Sequence, residues 1–297
     1  MKKMKDFSMR DFKKAAIPAV VCLKIVLAVV FWATMAKAAA PKETTYDRVM
    51  RTKTLRCGYI DYPPHMIIDP ATKVKSGIMH DIVEEAAKLL ELKVEWTEEI
   101  GWANTVTTLN SGRVDAICTS FWQNPVEGRY VGFTMPLFYS AVNAYVRADD
   151  NRFTGHPEKM DDPAVSVSAS DGAEAMFIAQ QNYPKAKIVS LPNMTDESQL
   201  LLEVATKKAD VTFVEAYLGQ KFIKNNPGKL KNITAQEPVR LFGNTMAIPQ
   251  DDVKFKSMLD SALVQMLYGG EVDKIIKKYE EVPGGIYRVA KPYEVPK

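Results

Sequence analysis

The chain has 297 residues, 46% of them apolar and 25% charged, with 39 lysines and arginines against 36 aspartates and glutamates. Eight of the basic and two of the acidic side chains fall in residues 1–38, so the other 259 residues carry a formal charge of −3. These hold no basic run with interleaved aromatics, which excludes the footprint of a nucleic-acid binder. Their number exceeds a usual single domain, so two lobes of ~100 to 150 residues are expected.

The first residues carry Lys2, Lys3, Lys5, Arg10, Lys13 and Lys14, then a mostly apolar stretch from Ala15 to Ala36, then the small-residue pattern Ala36-Lys37-Ala38. This order is that of a secretory signal peptide, residues 1–38, cleaved at Ala38-Ala39. A retained anchor is disfavoured because Lys24 splits the apolar run, and Ile25 to Ala36 falls short of the ~20 residues a spanning helix needs. Cys22 does not make a lipoprotein site, since the bulkier Val21 precedes it. The expected product is a secreted chain, not embedded in the membrane after cleavage. In that compartment Cys57 and Cys118 either form a bridge or remain two buried thiols.

After a short lead, Leu55 to Ile60 reads as a strand that runs into the turn residues Asp61-Tyr62-Pro63-Pro64. From Gly77 the period lengthens, with Ile78, Ile82, Ala86, Leu89 and Leu90 on one helical face. Lys93 to Thr97 reads as a strand, Asn104 to Asn110 as a short helix stopped at Ser111-Gly112, and Val114 to Thr119 as a third strand. Strand and helix in alternation imply a parallel sheet covered on both faces. A shorter unit repeats the rhythm: strand Val165–Ala169, helix Ala173–Gln181, strand Ile188–Leu191, helix Asp196–Lys207, strand Val211–Val214.

Between the units Ala141 to Val146 reads as a crossing strand, followed by the polar stretch Asp149 to Asp162. Thr245 to Ile248 is a second crossing. The last long helix places Phe255, Met258, Leu259, Ala262, Leu263, Met266 and Leu267 at spacings of three and four, so one face is buried. It ends at Gly269-Gly270, before a final charged helix. The fold class is α/β: two lobes, each with a parallel-core sheet, joined by two hinge strands. Ligands of open parallel sheets bind beyond the carboxyl ends of the strands, and a cleft there can close by bending at the crossings.

These segments, in this order, resemble the polar amino-acid-type periplasmic binding proteins of ABC importers, the bacterial extracellular solute-binding protein family 3. Leu55-Arg56-Cys57-Gly58 through Tyr62-Pro63-Pro64 is similar to the first strand and its ligand-facing loop. Ser76-Gly77-Ile78-Met79-His80-Asp81-Ile82 resembles the start of the first helix, and Leu109-Asn110-Ser111-Gly112-Arg113-Val114-Asp115-Ala116 the strongest signature. Phe133 to Ser140 resembles the entry to the hinge, and Ala209-Asp210-Val211 echoes the helix-to-strand passage in the second unit. The resemblance implies a two-lobed type II fold, with a large lobe of residues 39–145 and 241–297 and a small lobe of residues 146–240. It implies a periplasmic, monomeric receptor that binds a small molecule and delivers it to a membrane permease, with no cofactor and no catalysis.

The resemblance also implies a ligand-binding set: Tyr62, Trp102, Thr119, Ser120, Phe121, Trp122, Glu127, Arg129, Ser170, Asp171 and Glu215. Where the family places an arginine that holds a ligand carboxylate through two parallel donors, this chain has Glu127. An acid cannot serve a carboxylate there. Arg129 either takes over that role or points into solvent. Glu215 stands where the family offers an acid to a ligand ammonium, and a tryptophan face over a desolvated cation contributes ~2 kcal/mol. Together these residues favour an amine-bearing ligand. Ser170-Asp171-Gly172, at the start of a helix, offers backbone donors to an anion unless Asp171 caps the helix itself.

His65, His80 and His156 are scattered without metal-ligand spacing and are expected to be satisfied in the interior or exposed. Two rival functions are a dehydratase-like enzyme on the same scaffold, with paired carboxylates as acid and base, and a sensory or scaffold relative that no longer transports. Against the enzyme, no nucleophile with a neighbouring base and no phosphate loop is present.

Overall fold

The computed structural model describes residues 43–192 and 195–290. The chain divides into a segment up to Thr44 and a compact unit, Thr45–Lys297. The expected signal peptide, Cys22 and the Ala38-Ala39 bond lie outside the described residues.

The compact unit begins with helix α1 (Thr45–Thr52) and strand β1 (Thr54–Tyr59). A small hairpin of β2 (Ile67–Ile68) and β3 (Lys75–Ser76) leads to helix α2 (Ile78–Leu89) and strand β4 (Lys93–Glu99). Helix α3 (Thr105–Asn110), strand β5 (Ala116–Trp122) and strand β6 (Val131–Phe133) complete the first run. The crossing strand β7 (Phe138–Arg147) then leads to β8 (Ser166–Ser170), α4 (Glu174–Asn182), β9 (Lys187–Leu191), α5 (Glu197–Ala205), β10 (Val211–Glu215), α6 (Ala216–Asn225) and β11 (Leu230–Asn232). The second crossing, β12 (Arg240–Pro249), returns to α7 (Val253–Gly269), α8 (Glu271–Tyr279) and β13 (Tyr287–Arg288).

Both alternating runs expected from the residue pattern are present, with shifts of a few residues at the ends. The shifts have local causes. On α2 the buried face is Ile78, Met79, Ile82, Val83, Ala86 and Ala87, whereas Leu89 stands exposed at the last turn. Helix α7 starts where the Asp252 carboxylate accepts from the Phe255 amide at 3.0 Å and stops at Gly270, whose φ of 82° suits glycine. Helix α6 was not expected; it follows β10 with no intervening turn, and Ala216, Tyr217 and Gly219 are buried while Phe222 and Ile223 pack partly against the core.

Hydrogen bonding departs from the two-sheet expectation. One continuous sheet runs in the order β4-β1-β5-β12-β7-β10-β8-β9, with parallel pairing at each end and antiparallel pairing in the middle. The first half of β7 pairs with the first half of β12, from Phe138↔Asn244 to Val142↔Arg240. Its second half pairs with β10, from Val142↔Glu215 to Val146↔Val211. Val142 is therefore the residue at which the sheet changes partners. The two crossings fuse what the sequence presented as separate sheets, since adjacent extended strands satisfy their backbone groups on each other.

Apolar burial nonetheless forms separate cores. One gathers Leu55, Ile82, Phe138, Phe255, Leu263 and their neighbours from both chain ends. Another gathers Tyr145, Val167, Ile178, Leu201, Phe213 and their neighbours from the middle of the chain. These cores define two lobes.

The signature motifs turn out to be anchors of the sheet. Asp115, just before β5, is buried and accepts from the Arg56 amide at 2.7 Å and the Arg56 guanidinium at 2.9 Å, with Arg48 also bound. Asp210, just before β10, accepts from the Ser166 amide at 3.0 Å and hydroxyl at 2.7 Å, and from Arg147 and Arg152. In each lobe an aspartate thus ties one parallel strand to its neighbour at the start of the pair. Although burial works to raise it, the Asp210 carboxyl is held well below the usual range by Arg152, Ser166 and Arg147.

Cys57 and Cys118 are bridged, which resolves the alternative left open by the sequence. Both are fully buried, one on β1 and one on β5. The bridge staples two adjacent parallel strands whose carboxyl ends carry the site.

Candidate functional site

The loop after β1 is held by three local devices. The Thr119 hydroxyl on β5 accepts from the Ile60 amide at 2.8 Å and is 3.2 Å from the Ile60 carbonyl. The first amides of α2, Ile78 and Met79, donate to the carbonyls of Pro64 and His65 at 3.0 and 2.7 Å. Gly77, with φ of 118°, lets the loop lie on the helix start: a Cβ there would come within 2.7 Å of the His65 carbonyl oxygen. Tyr62 and His65 are therefore presented from a fixed frame.

A cavity of about 310 Å³ opens beside this loop, lined by Tyr62, Trp102, Ser120, Phe121, Trp122, Asn124 and Glu127, with Glu197 from the start of α5. The aromatic walls brace one another. Trp102 meets Tyr62 edge-on at 5.6 Å and lies tilted against Phe121 at 6.1 Å. Phe121 stacks on Phe133 at 6.0 Å, and Trp122 stacks on Phe242 of β12 at 4.3 Å. The Trp122 indole also donates to Asn244 at 3.1 Å, and Asn244 in turn donates to Ser140 at 3.0 Å. One wall of the cavity is thus bonded to both crossing strands.

The polar groups are mainly acceptors. Glu127 receives the Asn124 side-chain amide, while its own amide donates back to Asn124 at 2.9 Å. Ser120 is buried, and its hydroxyl finds no hydrogen-bond partner among the described residues. Glu197 has its surface open to the cavity. It is an exposed side chain at the cavity mouth, and desolvation by the atoms around it, followed by the charges of Glu215 and Asp196, pushes its carboxyl up to about 7. Among the described residues lining the cavity there is no lysine, arginine or histidine.

Behind Tyr62 lies a third acidic group, Glu215. The Tyr62 hydroxyl donates to Glu215 at 2.8 Å, and the His65 ring lies 3.8 Å from the other carboxylate oxygen. That distance suits an ion pair and is too long for a hydrogen bond. Glu215 is 5% exposed and His65 1%. Burial alone would raise the Glu215 carboxyl, but His65, Ser140 and Tyr62 outweigh it and hold it below its ordinary value. Burial, with the charges of Glu215 and Glu197, drives the Tyr62 hydroxyl well up.

The expected ligand-binding residues therefore divide. Tyr62, Trp102, Ser120, Phe121, Trp122 and Glu127 meet at the cavity. Thr119 is turned to the interior, where it joins β5 to β1. Arg129 is exposed, donates to the Val126 carbonyl at 3.3 Å and lies over the Tyr130 ring. Ser170 is buried and its hydroxyl has no hydrogen-bond partner among the described residues, and the exposed Asp171 accepts from Ser190. Asp171 does not cap α4, which follows Ala173.

Glu197 and Asn124 join the cavity without having been expected, and no spacing marked them. Asp196 preceded Glu197 as a helix-start signal, and it does cap α5 by accepting from Ser198 at 2.8 Å. His65, expected to be satisfied or exposed, is instead buried between the rings of Tyr62 and Phe138, at 4.9 and 5.3 Å, and neither ring nitrogen has a hydrogen-bond partner among the described residues.

Comparison with known proteins accounts for this architecture. Residues 55–282 match the model of the bacterial extracellular solute-binding proteins, family 3. The chain is 30% identical over 180 residues to the "Probable ABC transporter extracellular-binding protein YckB" of Bacillus subtilis, a match covering 61% of this chain and 60% of that one. It is 32% identical over 137 residues to a "Probable amino-acid ABC transporter-binding protein" of Haemophilus influenzae, covering 46% and 52%. The chain thus spans a little over half the length of these curated relatives. The solved structure of YckB superposes with a TM-score of 0.66 at 20% identity, covering 84% of this chain and 97% of that one. An ABC-transporter binding component of Wolinella succinogenes, solved with lysine, gives 0.64 at 19% identity, covering 78% and 97%. Those likenesses show the fold, the two-lobed type II arrangement of periplasmic binding proteins. No helix among the described residues is long and apolar enough to cross a membrane. With more than half its length matched by the family model, the chain belongs to the bacterial extracellular solute-binding proteins, family 3.

Proposed function

We propose that this chain is the periplasmic receptor of an ABC importer, binding a small polar, amine-bearing or amino-acid-like ligand between its lobes and presenting it to a membrane permease. The observation that carries this reading is the cavity of about 310 Å³, with aromatic and polar walls from the end of β5 and the loop after β1, and Glu197 facing it from α5. Residues 1–38 are removed on export. The large lobe comprises 39–145 and 241–297, and the small lobe 146–240, with β7 and β12 as hinges and the second half of β7, Val142, Ala144 and Tyr145 included, packed into the small-lobe core. Tyr62, Trp102, Ser120, Phe121, Trp122 and Glu127 contact the ligand. Glu215, through Tyr62, and Ser170 and Asp171, on the small-lobe side, shape the closed state. The names of the relatives support the transport role, and membership of a substrate-binding family supports release of the ligand unchanged rather than turnover.

The test is thermal melting of the mature chain against a panel of amines and amino acids. A ligand at a hundredfold excess over its Kd adds about 2.7 kcal/mol, a shift of several degrees. At least one amine-bearing compound is expected to give it and to be recovered intact. A melting temperature that stays flat across the panel, or a chemically altered ligand, overturns the proposal.

A further inference from the structure

We propose that Glu127 and Glu197 form a two-acid clamp, which makes the preferred ligand a dication without a carboxylate, of the linear diamine class. The proposal rests on the receptor reading and narrows it.

Charge and exposure carry the argument. The cavity lining presents two carboxylates, one from each lobe, and no basic side chain among the described residues. Arg129, the one nearby guanidinium on the Asn124 to Arg129 loop, is exposed and occupied with Val126 and Tyr130. A ligand carboxylate entering this space would meet like charge with no donor pair to receive it. A cationic group meets acids and four aromatic rings, and a desolvated cation is attracted to a ring face as well as to a carboxylate. The rings of Trp102, Phe121 and Trp122 suit a methylene chain between two charged ends.

Two further observations point to a ligand rather than to an incidental acidic patch. The Ser120 hydroxyl is 1% exposed, borders the cavity and has no hydrogen-bond partner among the described residues, so an acceptor stands ready for an ammonium N–H. Glu215, the third acid of the region, is already engaged by Tyr62 and His65 and does not border the cavity. That leaves Glu127, which accepts from the neutral Asn124 amide, and Glu197 as two acids with no basic partner among the described residues of the cavity lining, for two positive charges. Glu197 adds a signature of its own. Desolvation, then the charges of Glu215 and Asp196, hold its carboxyl at about 7, with Tyr62 and Glu127 also on the cavity, so the protonated form is populated near neutral pH in the empty protein. A cation arriving beside it expels that proton, because opposite charge favours the ionised form.

The test is isothermal titration calorimetry at pH 7 with cadaverine, pentylamine and lysine. Cadaverine is expected to bind about tenfold or more tighter than either of the others. Glu127→Gln and Glu197→Gln are each expected to bring cadaverine down to the level of pentylamine, while circular dichroism and melting show both variants folded. Titrations in buffers of different ionisation enthalpy should show proton release on cadaverine binding in the parent chain and none in Glu197→Gln. If lysine binds more tightly than cadaverine and keeps its affinity in Glu127→Gln, the clamp is wrong and the receptor reading stands. If neither these compounds nor a broad amino-acid panel binds, both fall together.

Discussion

The Tyr62 hydroxyl donates to Glu215 at 2.8 Å, joining the loop after β1 in one lobe to the end of β10 in the other. Glu215 pairs in register with Val142, where β7 exchanges β12 for β10, so the bond sits beside the hinge itself. Its energetic weight follows from burial. The second carboxylate oxygen has no hydrogen-bond partner among the described residues, with the His65 ring 3.8 Å away.

Tyr62→Phe is expected to destabilise the chain by about 1–3 kcal/mol, the cost of leaving a buried acceptor without its donor. The variant should also respond differently to acid. The Glu215 carboxyl lies below its ordinary 4.5 when folded, so unfolding takes up a proton below that pH, and the stability it supplies at neutral pH is lost as pH falls through the folded value. Urea denaturation between about pH 6 and 3 should show a shallower loss in Tyr62→Phe than in the parent. Equal slopes would mean that the hydroxyl does not hold the carboxylate down.

Asn244→Ala removes the acceptor of the Trp122 indole and the donor to Ser140 at a fully buried position. A loss of about 1–3 kcal/mol is expected. In a double-mutant cycle with Trp122→Phe the two changes should couple by about 0.5–3 kcal/mol, since they share one bond. Additive effects would show that the cavity wall and the crossing strand act separately.

Arg129→Ala should leave both stability and affinity nearly unchanged, within about 0.5 kcal/mol, because the side chain is exposed and its contacts, with the Val126 carbonyl and the Tyr130 ring, lie within its own loop. A large loss of affinity for an α-amino acid in this variant would show that the loop moves on binding and that Arg129 receives a carboxylate after all.

The Cys57–Cys118 bridge closes a sequence separation of 61 residues inside the first lobe. The double Cys57→Ala, Cys118→Ala variant is expected to lose about 2–4 kcal/mol, measured by denaturant titration. Reductant should lower the stability of the parent chain and leave the double variant unmoved.

Much of the molecule was legible in its residues because the physics there is local. The change from two-residue to four-residue periodicity marked β1, α2, β5, β8 and β10. The order of motifs such as Leu109 to Ala116 pointed to the lobe plan, and the aromatics Tyr62, Trp102, Phe121 and Trp122 were singled out on the segments that do border the cavity. Helix α6 begins at Ala216 directly after β10 ends at Glu215, so no turn residue marked its start.

What only the tertiary structure decided are the partnerships across distance. Thr119 and Ser120 are neighbours on one strand, and alternation sends one to the interior and the other to the cavity; the register against Ile60 settles which. Glu215 and Glu197 are both acids at element ends in the same lobe. Folding buries Glu215 between Tyr62 and His65 and leaves Glu197 facing the cavity, because the loop after β1 packs against the end of β10. A side chain's charge is written in the sequence, but its solvation and its partners exist only once distant strands have come together.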